Sequence, residues 1–150
     1  MAAAGVKSLS YAVQRAALRE ARRRGADDAI FITDDGFVLE GAISTVVLRR
    51  GGVWVTPDPA DGALDGTTQR AAFAGLRARG DEVVVRSVEV DELLDADAVW
   101  LCSSGRLVAP VRSIDGHDIP VSAASTRVLW RALGLSAVPA GAPDDEEPPC

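Results

Sequence analysis

Lys7 is the one lysine in a chain of 150 residues, set against fifteen arginines. Where a surface needs only positive charge, such a chain uses arginine. A guanidinium keeps its proton, so it cannot condense with a carbonyl; a primary amine can. Glu40 is the second residue of interest, because it ends the apolar run Phe37-Val38-Leu39 and precedes Gly41. That position puts a carboxylate at a pocket or a rim. Gly66-Thr67-Thr68 opens a helical pattern directly after a loop rich in proline, aspartate and glycine. Free backbone N–H groups and a hydroxyl at a helix start form an anion site, with phosphate the usual guest. Ser103-Ser104-Gly105 offers hydroxyls and amides at a break between two strand-like runs.

Each of these features has a plainer explanation taken alone: a surface lysine, a solvated strand-end acid, an ordinary N-cap, and common turn residues. Taken together, an amine, a carboxylate and two anion sites match what pyridoxal 5'-phosphate requires. The amine forms the Schiff base, the carboxylate keeps the pyridine nitrogen protonated, and the anion sites hold the phosphate.

Composition bounds the setting. The chain is 47% hydrophobic and 25% charged, which fits one folded domain with a core. A net charge of −6 and a pI near 4.7 speak against a nucleic-acid surface. The one basic cluster, Arg22-Arg23-Arg24, closes a helical pattern, where cations suit the negative helix end. No apolar run has membrane-spanning length, and the two cysteines, Cys102 and Cys150, form no disulfide framework. We expect a cytoplasmic protein without nucleic-acid, membrane or metal partners.

The elements that must position these residues follow from periodicity. Ser8 is placed to cap a helix with apolar positions Leu9, Ala12, Val13, Ala16, Ala17 and Ala21, ended by Gly25. Ala29–Thr33 reads as a buried strand, turned by Asp34-Asp35-Gly36 into Phe37–Glu40. Ser44–Arg50 and Val53–Thr56 make a hairpin around Gly51-Gly52, and a helix follows from about Thr68 to Arg79. Glu82–Val90 reads as a strand, Asp91–Ala96 as a helical turn, and Ala98–Cys102 and Leu107–Val111 as two more strands. Ile114–Ile119 is a hairpin tip and Ser122–Leu133 a last helix. The expected fold is α/β, with a mixed, largely antiparallel, barrel-like sheet and flanking helices. Residues 1–138 form the domain, and the proline- and acid-rich 139–150 segment is expected to be a disordered tail. Trp54, Trp100 and Trp130 read as core or interface, and His117 as a surface residue of the hairpin tip.

Val6-Lys7-Ser8-Leu9, Gly25-Ala26-Asp27-Asp28-Ala29-Ile30, Val38-Leu39-Glu40-Gly41, Thr56-Pro57, Leu64-Asp65-Gly66-Thr67-Thr68 and Ala109-Pro110-Val111 fall in the order and spacing of one family. Over roughly residues 6 to 133 the chain resembles the class IV aminotransferases, the fold-type IV pyridoxal phosphate enzymes. That resemblance implies the C-terminal domain of the D-amino acid aminotransferase-like fold. It implies Lys7 as the Schiff-base lysine and Glu40 as partner of the pyridine nitrogen. Leu64 would lie against the ring, with the Thr67 amide, the Thr68 hydroxyl and Ser104 on the phosphate. Gly105 would stand near the phosphate or the substrate carboxylate. Ser103 and Arg106 are further candidates for substrate contact, and Tyr11 for the cofactor hydroxyl or the substrate.

The family's Gly-Ile-Thr-Arg is here Gly66-Thr67-Thr68-Gln69, its Asn-aromatic pair is Thr45-Val46, and Ser103-Ser104-Gly105-Arg106 replaces Thr-Gly-Thr. This variant is similar to 4-amino-4-deoxychorismate lyases, which give 4-aminobenzoate and pyruvate in folate synthesis. An amino acid aminotransferase of D-amino acid or branched-chain type is the alternative. With six residues before Lys7, the family's smaller N-terminal domain is not in this chain. A third reading is therefore an incompetent fragment that needs that domain. A small amino substrate and a homodimer are the partners the resemblance implies.

Overall fold

The computed structural model describes residues 11–135. Lys7, the Ser8 cap and the acidic tail lie outside the described residues. In chain order the elements are α1 (Ala12–Arg23), β1 (Ile30–Ile32), β2 (Val38–Gly41), β3 (Thr45–Arg50) and β4 (Val53–Thr56). A single 3₁₀ turn at Pro59–Asp61 precedes α2 (Thr67–Ala78), β5 (Val83–Val85) and α3 (Val90–Leu94). Then come β6 (Ala98–Ser103), β7 (Leu107–Pro110), the short pair β8 (Ser113–Ile114) and β9 (His117–Asp118), and α4 (Ala123–Ala132).

β3 and β6 are the centre of a five-stranded sheet of order β5-β4-β3-β6-β7. Their near-continuous Val, Leu and Trp runs mark strands covered on both faces, and the period of two divides them between two cores. One face carries Val47, Trp54, Ala98, Trp100 and Cys102 against Phe73 and Leu76 of α2 and Leu129 and Trp130 of α4. The other carries Val46, Leu48, Val55, Val99 and Leu101 against Val38, Val88, Leu93 and Ile119. All three tryptophans are core residues, as their setting predicts. Trp100 also donates its indole N–H to Thr126 at 2.9 Å.

The two covering helices lie very close. A Cβ built on Gly75 of α2 would fall 2.7 Å from the Ala132 carbonyl carbon of α4, closer than real Cβ atoms come. Both helices end in the same way: Gly80 and Gly134, at φ 89° and 75°, lead back-bonds from Asp81 to Leu76 and from Leu135 to Trp130. α1 ends likewise at Gly25, where the sequence places its stop. Arg23 and Arg24 both bond Glu20, so the basic cluster is an ordinary helix terminus.

Two expectations need correction. Among the described residues the sheet is mixed, but it is open and not barrel-like: β5 and β7 are edges, β1 pairs only with β2, and only β4–β5 is parallel. The run expected as one strand over Glu82–Val90 is also divided, and Val90 already belongs to α3. Its first part pairs with β4, while the Val88 carbonyl accepts from Val38 N–H and Glu89 bridges Phe37. The run is thus divided between β4 and the Phe37–Val38 segment and is not one continuous strand of the five-stranded sheet. On the opposite edge, Pro110 has no N–H to offer a further strand. The second correction concerns Ala29–Thr33, expected to be buried: no residue of β1 is fully buried and Ile32 is 54% exposed, in a strand whose register with β2 is irregular between Ile30 and Ile32.

Candidate active site

Thr45 at the start of β3 is the point where the separated motifs meet. Strand register sets it opposite Cys102, so the turn leaving β6 at Ser103 lies beside it. A Cβ on Gly66 would fall 3.3 Å from Thr45 Cβ and inside 3.0 Å of Thr45 Oγ1. Glycine is thus the residue that lets the N-terminus of α2 seat against β3. Gly66-Thr67-Thr68 and Ser103-Ser104-Gly105 are accordingly both fixed next to one buried threonine, 6% exposed.

Glu40 forms the third arm. It is half-buried near the end of β2, where the Gly41 N–H donates to the Ser44 carbonyl and turns the chain into β3. Its Oε2 accepts the Leu64 N–H at 3.0 Å. The carboxylate therefore reaches across to the loop that feeds α2, and it ties Glu40 directly to Leu64. Among the described residues no other hydrogen bond reaches this carboxylate.

The α2 N-terminus suits an anion. Gly66 has extended backbone (φ −72°, ψ 129°), no side chain caps the helix, and its first turn holds no acidic residue. The first N–H to find an intrahelical acceptor is that of Arg70, on the Gly66 carbonyl. The preceding N–H groups and the positive end of the dipole face outward. Opposite them, in the turn after β6, Ser103 Oγ accepts the Arg106 N–H at 3.2 Å. Ser104 and Gly105 are exposed, and Leu107 takes the left-handed conformation at φ 56°.

The remaining candidates fall as follows. Arg106, considered for a substrate carboxylate, has Nη1 3.0 Å from Asp28 Oδ2, so its charge is engaged within the chain. Tyr11 is the N-cap residue of α1, 37% exposed, and its carbonyl accepts from the Arg15 N–H. Burial pushes the Cys102 thiol up to about 12, which leaves it protonated and unreactive at neutral pH. His117 is exposed in its hairpin tip. Sequence reasoning missed two residues, Thr45 and Asp28. Thr45 is noticeable only as a departure from the family pattern. Asp28 has a weak signal, an acid set immediately before an apolar strand.

The donor set fits a phosphorylated pyridine aldehyde: a half-buried carboxylate tied to Leu64, an uncapped helix start, and a second loop of hydroxyls and amides beside the same threonine. The mixed α/β fold matches that of class IV aminotransferase structures. The chain belongs to the class IV aminotransferase family, whose pattern matches residues 2–114.

It is 44% identical over 124 residues to the bifunctional aminodeoxychorismate lyase / D-amino acid transaminase of Mycobacterium tuberculosis, covering 78% of this chain and 43% of that protein. Among solved structures, the fold IV transaminase of Curtobacterium pusillum superposes with a TM-score of 0.82 at 50% identity, over 87% of this chain and 45% of that one. A hypothetical aminotransferase from Mycobacterium tuberculosis in its pyridoxal-phosphate-bound form gives 0.82 at 41% identity, over 87% and 47%. These relatives are enzymes, and pyridoxal phosphate is the cofactor of the family. The chain spans less than half the length of each. No helix among the described residues is long and apolar enough to cross a membrane.

Proposed function

We propose that this chain is the cofactor-holding part of a pyridoxal phosphate enzyme that cleaves 4-amino-4-deoxychorismate to 4-aminobenzoate and pyruvate. The observation that carries it is the meeting of Glu40, Leu64, the bare α2 N-terminus and the Ser103–Arg106 turn around Thr45. When bound, pyridoxal phosphate supplies an electron sink for charge left at a substrate α-carbon. Lys7, the sole primary side-chain amine, holds the aldehyde and later takes the α-proton. Glu40 Oε1 holds the proton on the ring nitrogen, while Leu64 covers the ring. The Thr67 amide, the Thr68 hydroxyl, Ser104 and Gly105 bind the phosphate, with Ser103 and Tyr11 at the margins.

Transamination uses these same residues and differs in where Lys7 returns the proton. The combined lyase and D-amino acid transaminase name of the 44% identical relative favours keeping this second reading. A homodimer, a cytoplasmic setting and a need for an N-terminal domain belong to the same proposal.

The test adds pyridoxal phosphate to the chain, reduces with borohydride and maps the adduct by mass spectrometry. An adduct on Lys7, lost in Lys7→Arg, supports the assignment; a phosphopyridoxyl group elsewhere, or none, refutes cofactor binding by this chain alone. Given an adduct, 4-aminobenzoate release identifies the lyase. Glutamate formed from D-alanine and 2-oxoglutarate identifies the transaminase.

A further inference from the structure

The turn after β6 is held from outside. Asp28 stands just before β1, in the segment that leads to the β1–β2 pair carrying Glu40, and its side chain is 9% exposed. Its Oδ1 accepts the Ala29 N–H at 2.8 Å, which fixes the carboxylate's orientation. Its Oδ2 is shielded from solvent and has no aligned hydrogen bond, but the Arg106 guanidinium lies 3.0 Å away. That oxygen is held by charge. Arg106 in turn is tied by its own N–H to Ser103 Oγ, and the next residue, Leu107, keeps a left-handed φ of 56° without being glycine. A strained residue persists only where its surroundings over-determine it. Leu107 is paired with Ser103 and packs on the core, and the Asp28–Arg106 pair adds a contact to the turn from a different part of the fold.

We propose that Asp28 is a positioning residue: through Arg106 it fixes the Ser103–Gly105 turn in the shape that receives the cofactor phosphate. This rests on the reading of that turn as a phosphate site. Asp28 touches neither cofactor nor substrate; it acts through the guanidinium. Without Arg106, Oδ2 of this near-buried carboxylate has no other ion-pair partner among the described residues, so the turn and the strand start are coupled.

The test compares the wild-type chain with Asp28→Asn, which keeps the bond to Ala29 and removes the charge, and with Arg106→Ala at the exposed end of the pair. Amide hydrogen exchange across 103–107, without cofactor, is expected to quicken at least tenfold in both variants and not across 45–56. Apparent affinity for pyridoxal phosphate is expected to fall about tenfold, the loss of one contact to a charged group, while that for pyridoxal, which has no phosphate, stays within twofold. Unchanged exchange in the turn overturns the proposal, as does an equal loss for both aldehydes. If Asp28→Asn does not fold, Arg106→Ala carries both measurements. If wild-type binds neither aldehyde, the cofactor reading fails and the exchange result alone decides whether Asp28 fixes the turn.

Discussion

Gly66→Ala is the sharpest test of how the α2 N-terminus is seated. The Gly66 backbone (φ −72°, ψ 129°) is one any residue adopts, so alanine adds no strain of its own. In open space the change would stabilise by about 0.4–1 kcal/mol, because the unfolded chain loses freedom. Here the new methyl overlaps Thr45 Oγ1 and sits 3.3 Å from Thr45 Cβ, against a side chain only 6% exposed on a central strand. Overpacking of that kind costs about 1–3 kcal/mol, and alanine is also a poorer N-cap than glycine. The net expectation is a loss of about 2 kcal/mol, roughly 4–8 °C in Tm for a domain of this size. Urea denaturation should show a lower midpoint with an unchanged slope. In the Thr45→Ala background the clash partner is gone, and the penalty should shrink by at least about 1 kcal/mol in a double-mutant cycle. A more stable Gly66→Ala, or a penalty that Thr45→Ala leaves untouched, would refute the proposed seating of α2 on β3.

Two further outcomes follow from the same geometry. Glu40→Gln keeps an acceptor for the Leu64 N–H and so should cost less than about 1 kcal/mol of stability. It cannot keep a ring nitrogen protonated, and α-deuterium exchange into a substrate amino acid should fall at least about a hundredfold while the Lys7 adduct still forms; unchanged exchange would remove Glu40 from the site. Cys102 is an acid whose folded pKa is raised from 9.0 to about 12 by burial, so its contribution is complete below pH 9 and is lost as pH rises from 9 to 12. In a Cys150→Ser background, Cys102 should resist thiol reagents at pH 8 until the chain is unfolded, and rapid labelling of the folded chain would contradict its burial.

The sequence by itself determined the residues and their chemistry. One amine among fifteen guanidiniums, a carboxylate ending an apolar run, and hydroxyls at two element boundaries are matters of composition and local order. The helix end at Gly25 and the Gly51-Gly52 hairpin turn were equally legible, because a left-handed backbone has a local requirement for glycine. Tertiary structure alone decided the convergence. Nothing near Gly66 in sequence announces Thr45, and nothing near Arg106 announces Asp28, because each contact depends on strand register and on which edge a segment joins. The pairing of residues 82–90 has the same origin: the sequence reads as one strand, and only the folded chain divides it between β4 and the Phe37–Val38 segment. Local preference is fixed by a few neighbouring atoms, whereas pairing is settled by the free energy of the whole packed arrangement.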